Sequence, residues 1–231
     1  MRRLALSLVS LHNYVWRSVL VSVEVWSDIA CPWCYLGKRR LEKAIAVSGL
    51  DVDVRYRSFQ LDPTIPHGQH MPHAELMAKK FGASGDQIEQ MNQRLIDLGA
   101  AEGLDYRFDL YVQANTRDAH RLLHFAHERN LGVELKDRLL RAQFTEGALV
   151  DDVDTLVALA AEVGLDANEA RAVLASNAYD AAVQADIDEA KSLGANGVPF
   201  FVFDRRFAVS GAQSRDVFIE ALRQSSEAAE L

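Results

Sequence analysis

The chain has little cysteine: two residues in 231, with no second pair to complete a four-sulfur zinc site. Proline and glycine are sparse too, at five and 13 residues, while hydrophobic residues make up 49% and charged ones 25%. That balance excludes a disordered chain and leaves enough apolar surface for a sizeable core. Positive charge is also short. With a formal net charge of -8 and no basic cluster beyond Lys38-Arg39-Arg40, a nucleic-acid partner is not expected. Nor is any apolar run long enough to span a membrane. The nearest approach, Leu4 to Leu11 behind Met1-Arg2-Arg3, imitates a secretory signal, but His12-Asn13-Tyr14 interrupts it and no small-x-small cleavage site follows. Residues 1–18 are therefore expected to be an extension ahead of the domain or a short additional helix, and the protein is expected in the cytoplasm, with no membrane partner.

What is present is Cys31-Pro32-Trp33-Cys34, both cysteines in one motif. The run Val19 to Trp26 before it is β-branched and aromatic with partial alternation, a strand pattern. After it, Leu41, Ala44 and Ile45 stand at helical spacing among charges. The motif thus opens a helix, with Cys31 at the N-cap and Pro32 at the first helical position, where a missing N–H costs nothing. A Cys31 thiolate there is expected to accept from the backbone N–H groups of Trp33 and Cys34 at the positive end of the helix dipole. Such placement lowers a cysteine pKa from about 8.5 to roughly 3.5 to 7.5. Cys31 is then the attacking sulfur and Cys34, inside the first turn, the one that resolves a mixed disulfide. A zinc site would need histidines to complete it, and His67 and His70 lie outside finger-type spacing, so no metal is expected. Inert buried cysteines are the other bland alternative; the context favours redox chemistry.

Val52 to Phe59 alternates as a half-exposed or edge strand, so residues 19–64 read as a βαβ part with a right-handed crossover and a trailing Pro-rich loop. Helical periodicity then fills windows at 73–81, 86–102, 116–130, 135–145, 152–163, 167–175 and 178–192, broken at glycines. No proline interrupts between Pro72 and Pro199, and residues 65–193 read as an all-helical insertion. From 194 to 231, Phe200 to Phe203 is a buried strand, Asp204-Arg205-Arg206 turns the chain, Phe207 to Ser210 runs back, and an amphipathic helix closes the chain.

This α/β order, βαβ, helical block, ββα, resembles the thioredoxin fold, and the large insertion is similar to the DsbA-like branch. Residues Glu24 to Gly37, Asn115-Thr116 with Ala119-His120-Arg121, Gly197 to Val202 and Ser210 to Gln213 resemble the FrnE-type subfamily, relatives of 2-hydroxychromene-2-carboxylate isomerases and kappa-class glutathione transferases. The resemblance implies that Cys31 is the nucleophile, Cys34 the resolving cysteine and Pro199 the cis proline facing the active-site sulfur. It also implies that the Val198 backbone pairs with an extended substrate. Asn115 and Gln213 become substrate-groove candidates on resemblance alone. In the isomerase and transferase relatives the first motif cysteine is commonly serine; here both sulfurs are present, which favours thiol-disulfide exchange.

No bound cofactor is implied beyond the Cys31-Cys34 disulfide itself, with glutathione left open as a co-substrate. Expected partners are protein or small-molecule disulfides and thiols, and monomer and homodimer both stay open. A glutathione-dependent isomerase or transferase acting on a small aromatic molecule is the alternative, and a redox-sensitive binding module the non-enzymatic one. Trp33 is expected to cover the dithiol or to form a substrate platform. His120, His124 and His127 share a helix face; His120 is expected to be packed or to face the active site, with an acid-base role open. Asp28 would raise a neighbouring thiol pKa, so it is expected to point away or to be neutralised by Lys38 or Arg39.

Overall fold

The computed structural model describes residues 20–228, so the expectation for residues 1–18 lies outside the described residues. Four strands form the main sheet: β1 (Leu20–Ser27), β2 (Asp51–Ser58), β5 (Phe200–Phe203) and β6 (Phe207–Ser210), in the order β2-β1-β5-β6. β1 runs parallel to β2 and antiparallel to β5, which in turn pairs antiparallel with β6. The parallel pair needs a crossover, supplied by α1 (Pro32–Ser48), while Asp204 and Arg205 close the β5–β6 hairpin with positive φ angles.

Alternation decides what each face covers. Val21, Val23 and Val25 share one face with Phe201 and Phe203, and bury against Leu41 and Ala44 of α1 and Phe218, Ala221 and Leu222 of α9 (Arg215–Ala228). The opposite face carries Trp26, Phe200 and Val202, which pack on Ala190 and Ala195. β1 is therefore buried on both faces, as a central strand must be. β2 lies at the sheet edge, and its Val52 and Val54 are only half-buried.

The insertion is helical except for one short pair. Its helices are α2 (His73–Phe81), α3 (Gly85–Glu102), α4 (Arg117–His127), α5 (Gly132–Arg141), α6 (Val153–Glu162), α7 (Ala167–Leu174) and α8 (Asp180–Ser192), with a π-helical turn at Ala142–Glu146 after α5. The exception is β3 (Met71–Pro72), which pairs antiparallel with β4 (Val112–Gln113). The last helix starts at Asp180 because Tyr179 before it is left-handed, with φ 63°. α4 to α7 enclose an apolar core of their own, and a second, aromatic cluster of Tyr35, Tyr106, Phe108, Tyr111 and Phe144 joins α1 to the insertion.

Asp186 of α8 fastens the insertion to the sheet. Its carboxylate accepts from the Ser58 backbone at 2.8 Å and from Arg57 at 3.1 Å, while its carbonyl accepts from the Trp26 indole at 2.8 Å. Arg57 also pairs with Glu24, and Arg205 reaches the same carboxylate from the β5–β6 turn. These charges sit on the face of β1 that would otherwise expose a buried glutamate, so each is paired.

Candidate active site

Cys31 caps α1 with extended backbone angles, φ -102° and ψ 110°, and Pro32 follows at the first helical position. The Cys34 N–H bonds the Cys31 carbonyl at 3.0 Å, and the Cys31 side chain makes no capping bond. Its thiol instead donates to the Val198 carbonyl at 3.5 Å, immediately before the cis Val198–Pro199 bond. Strand pairing explains the meeting: Trp26, one turn of loop ahead of the motif, is register partner of Phe200, the residue after Pro199. Both sulfurs are buried thiols, and Trp33 beside them is 38% exposed.

Gly37 sets how closely α1 can approach this strand. A Cβ there would lie 3.0 Å from Pro199 Cγ and 3.1 Å from Phe201 Cζ. Gly37→Val is therefore expected to overpack the contact and cost about 1–3 kcal/mol, with Gly37→Ala costing less. Urea unfolding of both variants checks this, and an unchanged midpoint for the valine variant would count against the close approach.

The electrostatics correct one sequence expectation. Cys31 is pushed well above the usual thiol range, first by hydrogen bonding with the Cys34 sulfur, then by burial and by the charges of Cys34 and Asp28. Burial also opposes a charge on Cys34, but the Cys31 hydrogen bond and the positive charge of Lys136 outweigh it and lower its pKa. The first negative charge thus falls on the inner sulfur rather than on Cys31, because the Cys34 N–H lowers the outer sulfur less than burial and its charged neighbours raise it.

Asp28 is the second correction. It neither points away nor meets Lys38 or Arg39, both of which pair with Glu42 and Asp137 instead. Asp28 is 1% exposed and accepts from the Leu61 N–H at 2.7 Å, the Ala30 N–H at 3.4 Å and His120 Nε2 at 3.2 Å. Burial opposes its charge, yet these donors, His120 foremost, hold its pKa below the usual carboxylate value. His120 is wholly buried, and burial keeps it neutral, so Nε2 carries the proton and Nδ1 is left without a partner.

The remaining candidates fall in different places. Val198 and Pro199 adjoin Cys31; His120 lies beneath it, behind Asp28, out of reach of a substrate. Asn115 spends its side chain on the Ile65 carbonyl at 2.6 Å and the Arg117 N–H at 2.8 Å, holding the start of α4 against the loop after β2. Gln213 is exposed beyond β6 and bonds the Ser210 carbonyl at 2.8 Å. Neither Asn115 nor Gln213 lines the cleft at Cys31. That cleft, about 280 Å³, is walled by Trp33, Leu76, Met77, Met91, Leu95 and Tyr111, with His73, Asn92 and Gln113 as polar groups and the ion pair Asp62–Lys80 at its edge. Tyr106 and Tyr111 brace its inner side through bonds to the carbonyls of Pro32 at 2.6 Å and Ala30 at 3.2 Å.

Lys136 was not singled out by sequence. It lies fully buried on α5 and donates to the Ser27 carbonyl at 3.3 Å, at the end of β1. Its position in the apolar stripe, one turn from Leu140, is the signal that it faces inward. Among the described residues no group of three His, Cys, Asp or Glu side chains is gathered to hold a metal ion, and no helix is long and apolar enough to cross a membrane.

The family model for the DSBA-like thioredoxin domain matches residues 22–223. The chain belongs to that family. A family relative, the uncharacterized Bacillus subtilis (strain 168) protein YwbO, is 31% identical over 204 residues, covering 87% of this chain and 96% of its own. A solved structure of the probable DsbA oxidoreductase SCO1869 from Streptomyces coelicolor is 47% identical, with a TM-score of 0.85 over 89% of each chain. A 2-hydroxychromene-2-carboxylate isomerase structure shares the fold at 18% identity, with a TM-score of 0.66 over 90% of this chain and 98% of that one.

Membership of the DSBA-like family does not make the buried histidines of this chain silent. Burial is the first cause that lowers the pKa of His73, His120 and His127. In the unfolded chain they take up protons as pH drops through about 6.5, whereas the folded ones stay neutral. Their contribution to stability is complete above that value and is lost as pH falls toward the folded pKa values. Each such histidine steepens the loss by up to about 1.4 kcal/mol per pH unit. Urea midpoints at pH 5, 6 and 7 should fall in that order toward acid; a midpoint at pH 5 equal to that at pH 7 would contradict the assignment.

Proposed function

We propose that the chain is a thiol-disulfide oxidoreductase working through Cys31 and Cys34. The observation that carries this reading is the pair itself: an outer sulfur against the Val198 carbonyl at a cleft, and an inner sulfur in the same helical turn. In the monoanion Cys31 passes its proton inward to Cys34, and the Cys31 thiolate attacks a substrate disulfide. A Cys31–substrate disulfide forms, and the other substrate sulfur leaves as thiolate. Cys34 then loses its proton and attacks Cys31, closing the intramolecular disulfide. The second substrate thiolate leaves, and the substrate has gained two electrons. A dithiol reductant or glutathione returns the protein to its starting state, which suits the reducing cytoplasm. The protein-bound redox group is the disulfide alone, and substrates are protein or small-molecule disulfides.

A second reading is favoured by the cleft. Its apolar walls and about 280 Å³ volume suit a small aromatic molecule, as a glutathione-dependent isomerase or transferase would require. Insulin reduction and glutathione conjugation to an aromatic electrophile, measured on one preparation, separate the two. The exchange reading expects catalysed insulin precipitation and background conjugation. Conjugation with no insulin reduction would reverse the order.

A further inference from the structure

Lys136 is an expensive residue to place where it is. The side chain is 0% exposed, and an isolated ammonium loses far more on leaving water than one hydrogen bond returns. Its one hydrogen bond among the described residues is long, 3.3 Å to the Ser27 carbonyl, which leaves donors over, since an ammonium has three. Among the described residues no carboxylate lies within salt-bridge distance of it. Lys38, equally buried, has two, Glu42 and Asp137. Structural need thus explains Lys38 and does not explain Lys136.

The groups around Lys136 narrow what its charge is for. The charges that act on it are those of Cys34 and Lys38 on α1, Cys31 at its N-cap, Asp28 in the turn after β1 and His120 on α4, and the Tyr56 ring of β2 lies 5.8 Å away. Asp28 is already satisfied by Leu61, Ala30 and His120, and Tyr56 is held protonated, chiefly by burial. Lys38 repels it. The group that gains and loses a negative charge beside it is Cys34, whose sulfur is buried together with the Ser27 hydroxyl, itself without another hydrogen-bond partner.

We infer that Lys136 is a positioning residue for the resolving step: its buried ammonium holds the charge that Cys34 must carry when it attacks the mixed disulfide on Cys31. In that step the Cys34 thiolate forms the Cys31–Cys34 bond and the Cys31–substrate bond breaks. The departing thiolate takes up a proton in place of the one Cys34 lost. Lys136 keeps its protons throughout and acts by charge alone. Burial draws its pKa down to about 8, and the negative charges of Cys34, Asp28 and Cys31 hold it up against further loss, of which only the sulfurs change with redox state. Reduction and oxidation of the pair must therefore move the titration of Lys136, and the presence of Lys136 must move that of Cys34.

The inference rests on the exchange reading, and its test is arranged so that the two fail separately. Nitrogen-15 lysine NMR of the unaltered protein is expected to show Lys136 titrating at higher pH in the dithiol than in the disulfide form. Stopped-flow kinetics of Lys136→Met should show resolution slowed about tenfold or more at pH 7, a pKa rise of about one unit at Cys34. The first attack by Cys31 should change much less, the deficit should shrink as pH rises, and Lys136→Arg should restore most of the rate. Identical Lys136 titration in both redox forms overturns the inference, and so do equal losses in both steps with an unchanged pH profile. The NMR comparison needs no substitution and decides the matter even where the methionine variant does not fold. Linked titration without any disulfide turnover would instead sink the exchange reading and leave the charge coupling standing.

Discussion

Cys31→Ser is expected to lower disulfide reduction by at least about a thousandfold, because a hydroxyl cannot replace a thiolate in attack on sulfur or hold the mixed disulfide. Cys34→Ser is expected to fail differently. Its first attack goes ahead, since Cys31 and the Val198 contact are untouched, but nothing in the chain can release the product. A stoichiometric Cys31–substrate disulfide should accumulate and be visible by mass after acid quenching. Non-reducing electrophoresis would carry the same species as a band that dithiothreitol removes. If the Cys34→Ser protein turned over at the unaltered rate, the inner sulfur would be a bystander and the glutathione-dependent reading would take precedence.

Asp28→Leu is expected to destabilise the fold by about 3 kcal/mol or more, the second large effect. The carboxylate is 1% exposed and receives the Leu61 N–H, the Ala30 N–H and His120 Nε2. Leucine leaves those donors buried without acceptors, and each orphan costs about 1–3 kcal/mol. Asp28→Asn keeps an acceptor in place and is expected to cost less. The same exchange removes a negative charge that pushes Cys31 upward, so the surviving protein should attack a substrate disulfide faster near neutral pH. Denaturant unfolding gives the stability and the pH dependence of iodoacetamide capture gives the thiol. A leucine variant as stable as the parent, or an asparagine variant with a slower Cys31, would contradict this account of the buried acid.

How far these features could be read from the chain depended on the range of the interactions behind them. The Val21-Val23-Val25 alternation, the Pro32 helix start and the Phe200 to Phe203 strand are local signals, and the sheet and its dithiol follow from them. The helical insertion was equally visible, because its windows lack proline and keep a 3.6-residue period. The β3–β4 pair was not, since two residues on each side have no pattern and exist only through contact between distant segments. Asp28 escapes a local reading for the same reason: a carboxylate in a turn is ordinarily solvated, and what buries it comes from Leu61 and His120, 33 and 92 positions along the chain. The charge order in the dithiol also escaped a local argument. Helix-start geometry favours the outer sulfur, yet the lysine that favours the inner one arrives from α5.

Asn115 and Gln213 show the limit of resemblance. Their segments match a family pattern, but Asn115 bonds the Ile65 carbonyl and the Arg117 N–H, Gln213 bonds the Ser210 carbonyl of its own turn, and neither side chain enters the cleft. The cleft walls come instead from α2 and α3, where Leu76, Met77, Met91 and Leu95 looked like ordinary helical residues. Apolar positions on a helix announce burial or a partner with equal voice, and only the fold distinguishes them.

The central claim is that Cys31 and Cys34 act as one two-electron couple. Equilibrating the protein across a series of glutathione redox buffers, quenching with acid and counting alkylated thiols by mass tests it directly. The account predicts a single transition from two free thiols to an internal Cys31–Cys34 disulfide, its midpoint following the square of reduced over oxidised glutathione. A persistent glutathione adduct on Cys31 with Cys34 free across the whole series would contradict it.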